Sequence, residues 1–111
     1  MMECNVINRN KYFLIQAKGE VDMSTSPALR KAVLESLKKQ KGILVDLSQV
    51  VYIDSSGLAS LIEGYQYART NSLPFGLVQV PEVVSNVLEL ARLDRIFHIY
   101  KDTESWEHKL K

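Results

Sequence analysis

The chain is short of most residues that would fix a function by composition alone. It has a single cysteine, Cys4, so no intrachain disulfide is possible. With only His98 and His108 beside that cysteine, no metal-ligand spacing appears, and no metal is expected. The five glycines, Gly19, Gly42, Gly57, Gly64 and Gly76, are too dispersed for a dinucleotide or P-loop fingerprint. No bound nucleotide or other cofactor is expected. A formal net charge of +1 shows no electrostatic preference for nucleic acid or an anionic membrane surface. No apolar run reaches the roughly 18 residues of a membrane span. Nor does a charged segment followed by an apolar one open the chain, so a cytoplasmic location is expected.

What is present is the composition of an ordinary globular protein, 46% hydrophobic and 24% charged over 111 residues. That length fits one domain, residues 1–111, with a single core. The informative stretch runs from Ile43 to Ile62. It opens as an apolar, β-branched run, the pattern of a buried strand, and changes at Asp54 to apolar residues at helical spacing. Leu58, Leu61, Ile62 and Tyr65 form a core-facing stripe, which leaves Ser60, Glu63, Gln66 and Arg69 on other faces. Between strand and helix lies Asp54-Ser55-Ser56-Gly57, which sets two hydroxyls at a helix N-terminus. Unpaired amides and the helix dipole make this a place for a phosphate, and Gly57 lets the backbone come close. The same residues also suit simple helix capping, and spacing alone leaves both readings open.

Around this stretch the pattern predicts a hairpin of strands Cys4 to Ile7 and Tyr12 to Lys18, turning at Asn8-Arg9-Asn10-Lys11. Ser24-Thr25-Ser26-Pro27 starts a first helix that runs to about Lys39, with Leu29, Val33 and Leu37 inward and Gly42 ending it. Strand Phe75 to Val80, a helix opened by Pro81, a short strand at His98 to Tyr100 and a final helix bearing Trp106 complete the order. Strands alternating with helices imply an α/β fold with a small, mixed, mostly parallel sheet.

An enzyme reading is weak. Asp54, Ser55 and His98 are the residue types of a hydrolase triad, but the leading glycine of Gly-x-Ser-x-Gly is missing and nothing fixes His98 near Ser55. His98, in an apolar run, reads as a packing residue. The lysine-rich end of the first helix reads as a solvated face rather than a nucleic-acid site.

Taken together, Gly19-Glu20-Val21-Asp22, Val45-Asp46-Leu47-Ser48, Tyr52-Ile53-Asp54-Ser55-Ser56-Gly57-Leu58 and Leu93-Asp94-Arg95-Ile96-Phe97 resemble a STAS domain, most closely the bacterial anti-sigma factor antagonists. The resemblance covers almost the whole chain. It implies a non-enzymatic partner switch in which Ser55 is the phosphorylation site, Asp54 and Ser56 stand beside it, and Asp22 lies in a neighbouring loop. The implied partners are an anti-sigma factor with a histidine-kinase-like ATPase fold, which binds the unmodified protein and phosphorylates it, and a serine phosphatase. Asp22, Ser24, Asp54, Ser56, Gly57, Ala59, Ser60 and Glu63 are the expected partner-binding residues. A STAS subunit of a lipid-transport ABC complex, docking on an ATPase subunit, is the alternative. Neither the oligomeric state nor the choice between Ser55 and Ser56 follows from the sequence.

Overall fold

The computed structural model describes residues 2–110. Its elements are β1 (Met2–Asn8), β2 (Tyr12–Val21), α1 (Ser26–Lys38), β3 (Gly42–Ile53), α2 (Ser55–Thr70), β4 (Phe75–Val78), α3 (Glu82–Leu90), β5 (Ile99–Tyr100) and α4 (Thr103–Lys109), with a 3-10 turn at Leu93–Arg95. The five strands form one sheet in chain order. β1 pairs antiparallel with β2 through the expected hairpin, and every later pair is parallel.

Alternation along the strands sorts the core into two layers. Phe13, Ile15 and Ala17 of β2, with Ile43, Val45 and Leu47 of β3, face the helices α1, α2 and α3, where Leu29, Val33, Leu37, Leu61, Val84 and Leu88 are fully buried. Tyr12, Leu14, Leu44 and Val78 face the other way and are covered by Trp106 of α4. Burial of each such side chain contributes about 1.5–3 kcal/mol, so the central strand is held from both sides.

The strand ends depart from expectation where backbone geometry intervenes. β4 stops at Val78 because Gln79 takes a left-handed conformation, φ 51°. Gln40, at φ 63°, makes the left-handed turn after α1 that the sequence suggested for Gly42. Gly42 instead begins β3, where an added Cβ would lie 2.8 Å from the Pro74 carbonyl. Its role is close approach rather than helix termination.

Candidate functional site

The site forms where β2 and β3 both end. The register pairs Val21 with Ile53, and the Asp54 amide donates to the Val21 carbonyl at 3.1 Å, which fastens the start of α2 to the end of β2. Gly57 sits in the angle between them. A Cβ there would come within 2.7 Å of Cγ1 atoms on both Ile53 and Val21, so only glycine allows α2 to start this close to the sheet.

Asp54 is the N-cap of α2, in extended conformation. Its Oδ1 accepts from the Ser56 amide at 2.9 Å, the Ser56 hydroxyl at 2.5 Å and the Gly57 amide at 3.3 Å. The Ser56 hydroxyl, ahead of the two amides, holds the Asp54 carboxyl below the usual carboxylate range; partial desolvation and the negative charge of nearby Asp22 act the other way. This division of labour leaves Ser55 apart. Ser55 is exposed and its hydroxyl has no hydrogen-bond partner among the described residues, whereas Ser56 is half-buried and committed to Asp54. The capping duty that the sequence left open between the two serines thus falls on Asp54.

Asp22 organises the neighbouring β2–α1 loop in the same manner. Its Oδ1 accepts from the Ser24 amide at 2.9 Å, the Ser24 hydroxyl at 2.7 Å and the Thr25 amide at 3.2 Å. The Ser24 hydroxyl is the leading cause of its lowered pKa. Ser24 and Thr25 were expected to cap α1 through their side chains. Thr25 takes the N-cap position but makes no side-chain cap bond, because its hydroxyl turns back to the Glu20 carbonyl at 2.8 Å. Two carboxylates near enough to repel each other therefore lie at this end of the sheet, each with Oδ1 engaged by local donors.

Two sequence expectations for this surface need correction. Ser60, placed on an outer face, is 5% exposed: α1 packs over it, and its hydroxyl donates to the Ser56 and Ser26 carbonyls at 3.1 and 3.3 Å. The helix has a second buried stripe of small residues, Gly57, Ser60, Gly64 and Ala68, spaced three and four apart, and that spacing was the available signal. His98, read as a packing residue, is exposed. Of the other outer-face residues, Ala59 is exposed, while Glu63 is half-exposed and paired with Arg30 of α1 through two bonds of 2.8 and 2.7 Å. Sequence reasoning passed over Met23, which is 80% exposed between Asp22 and Ser24. An apolar residue in a polar loop, outside any periodic stripe, was the clue.

Among the described residues there is no cluster of metal-ligating side chains, and no helix is long and apolar enough to cross a membrane. The fold is an α/β module with a small mixed sheet and an exposed serine at the start of its longest helix. Comparison with known proteins places it more narrowly. The STAS domain family model matches residues 3–106, and the chain belongs to the STAS family. It is similar to the anti-sigma-B factor antagonist of Staphylococcus aureus strain NCTC 8325, 26% identical over 98 residues, covering 86% of this chain and 90% of that protein. The crystal structure of an anti-sigma factor antagonist from Mycobacterium paratuberculosis superposes with a TM-score of 0.83 at 25% identity, covering 95% of this chain and 90% of that one. The antagonist SpoIIAA of Bacillus, in its unphosphorylated form, shares the fold with a TM-score of 0.81 at 14% identity, covering 96% and 95%.

Proposed function

We propose that this chain is an anti-sigma factor antagonist whose docking on an anti-sigma factor is switched by phosphorylation of Ser55. The observation that carries the reading is the contrast between the two serines, one hydroxyl exposed and free, the other held by Asp54. The names of the similar proteins support the regulatory class.

In this reading an anti-sigma factor with a histidine-kinase-like ATPase fold binds the unmodified site and releases its sigma factor. Its nucleotide then supplies the phosphoryl group: Ser55 Oγ attacks the γ-phosphorus of ATP, the bond to ADP breaks, and the hydroxyl proton leaves to solvent. A serine phosphatase hydrolyses the ester and restores the hydroxyl. The chain itself contributes an accessible oxygen and a docking rim drawn from Asp22, Ser24, Asp54, Ser56 and Ala59, with Met23 added; Gly57, expected on that rim, is buried and acts only by letting α2 start close to the sheet. Ser60 acts only by holding α1 against α2, and Glu63 has to exchange Arg30 for any partner cation.

The phosphoester brings about −1.5 to −2 charges beside Asp54 and Asp22. Asp54 and Asp22 repel it while the positive end of the α2 dipole attracts it, so the two effects roughly offset within the chain and the added charge acts mainly on the partner. A like charge on the partner about 4 Å away, at an effective dielectric near 20, weakens docking by roughly a thousandfold per unit charge before relaxation. Ser55→Ala is expected to bind permanently and Ser55→Asp poorly.

Pulldown from source-cell extract with unmodified and phosphorylated chain, followed by mass-spectrometric site mapping, tests the reading. The expected result is an ATPase-fold serine kinase with the unmodified chain only, and phosphate on Ser55. Recovery of a transporter ATPase, or phosphate on Ser56, overturns it.

A further inference from the structure

The opposite end of α2 carries a second feature. Two adjoining depressions, of about 480 and 580 Å3, lie between the C-terminal half of α2 and the segment around β5. They share Tyr65, Arg69 and His98. The dividing wall is a cluster of three rings: Tyr65 meets Phe75 and Phe97 edge-on, at 6.0 and 5.7 Å between centroids, and Phe75 stacks on Phe97 at 5.9 Å.

The charge around these rings has one sign. Arg69, Arg95 and Lys109 line the depressions, and among the described residues no carboxylate does. None of these three cations is ion-paired among the described residues, although the chain as a whole is nearly neutral. The wall also holds Trp106, 1% exposed, whose Nε1 is the buried side-chain donor without an acceptor among the described residues. Buried indole N–H groups ordinarily find a partner. Volumes of this size fall within the range of small-molecule sites, about 300–1,000 Å3.

We propose that the depression bordered by α4 binds an aromatic organic anion, a flat apolar body against Tyr65, Phe75 and Tyr100 with one carboxylate or similar head held by Arg69 and Lys109. A lining rich in rings, with half-buried Tyr65 and Tyr100 over buried Phe75 and Trp106, favours a flat body over an acyl chain. The planar Arg69 guanidinium matches a carboxylate in two-point geometry. Helical rise puts Arg69 about 21 Å along α2 from Ser55, so the site is separate from the phosphoacceptor.

Isothermal titration of the full chain with 2-naphthoate, its neutral amide and decanoate tests this, with the emission of Trp106, the only tryptophan, as a second readout. For a probe of about 13 non-hydrogen atoms, a Kd of about 10 μM to 1 mM is expected. Arg69→Gln and Lys109→Gln should each weaken 2-naphthoate about fivefold or more, with Arg69→Lys retaining part of the affinity, and melting temperatures unchanged because neither side chain is ion-paired among the described residues. The amide should bind more weakly than the acid, and Trp106 emission should shift on binding. Absence of 2-naphthoate binding, equal affinity for acid and amide, tighter binding of decanoate, or insensitivity to both substitutions overturns the proposal. None of these results bears on the switch at Ser55.

Discussion

Asp54 decides which serine is free, and replacing it tests that directly. Its Oδ1 gathers three donors: two helix amides and the Ser56 hydroxyl. Asp54→Ala removes the acceptor and leaves those amides at the helix start without a side-chain partner. Loss of an N-cap in a domain of this size lowers Tm by about 4–8 °C. Asp54→Asn keeps a carbonyl oxygen in the same place and should recover most of that loss, since asparagine caps about as well as aspartate. The second consequence is chemical. Freed from Asp54, the Ser56 hydroxyl becomes a competing acceptor, so in vitro phosphorylation of Asp54→Ala should spread over both serines while wild type is modified at Ser55. Thermal denaturation followed by circular dichroism gives the first readout and site mapping the second. An unchanged Tm in Asp54→Ala, with phosphate still confined to Ser55, would refute the reasoning.

Further outcomes follow from the same geometry. Gly57→Ala should lower stability by about 1–3 kcal/mol in urea denaturation, because its Cβ meets Ile53 and Val21 at 2.7 Å and overpacking outweighs the helix-propensity gain. Ser60→Lys should destabilise by about 2 kcal/mol or more, where a true outer-face position would tolerate it; a neutral result would return Ser60 to the docking surface. Burial, followed by the hydrogen bond to Glu107, pushes the Tyr12 hydroxyl up to about 12. The stability held by its neutral form is therefore present below the ordinary tyrosine pKa and lost as pH rises through about 12; burial raises Tyr100 as well, so ultraviolet titration should find late-ionising tyrosines of which Glu107→Gln moves the one at Tyr12 downward. Asp22 and Asp54 shift the other way, so their contribution is present above the ordinary aspartate range and fades as pH falls below it.

Much of this arrangement was legible from residue order. The apolar runs from Tyr12 and from Ile43 located two core strands, and proline and serine signals located the helix starts, because burial and capping act locally. Ser60 misled because a single hydrophobic stripe was taken as the only buried face, whereas α2 is covered by the sheet on one side and by α1 on another. The small side chains that permit such a double contact carry no hydropathy signal. His98 misled for the opposite reason: an apolar neighbourhood in sequence became a two-residue edge strand, Ile99–Tyr100, with His98 exposed just before it. Which of the two serine hydroxyls is held by Asp54 depended on where one carboxylate oxygen points, which residue types do not specify.

The most direct measurement is the affinity of the purified anti-sigma factor for the chain in two forms, unmodified and carrying phosphate on Ser55 alone, at the same ionic strength. An electrostatic gate at this position predicts a loss of about a hundredfold or more in the phosphorylated form, with most of the change in dissociation rate. Affinities within about threefold of each other, less than 1 kcal/mol, would contradict it.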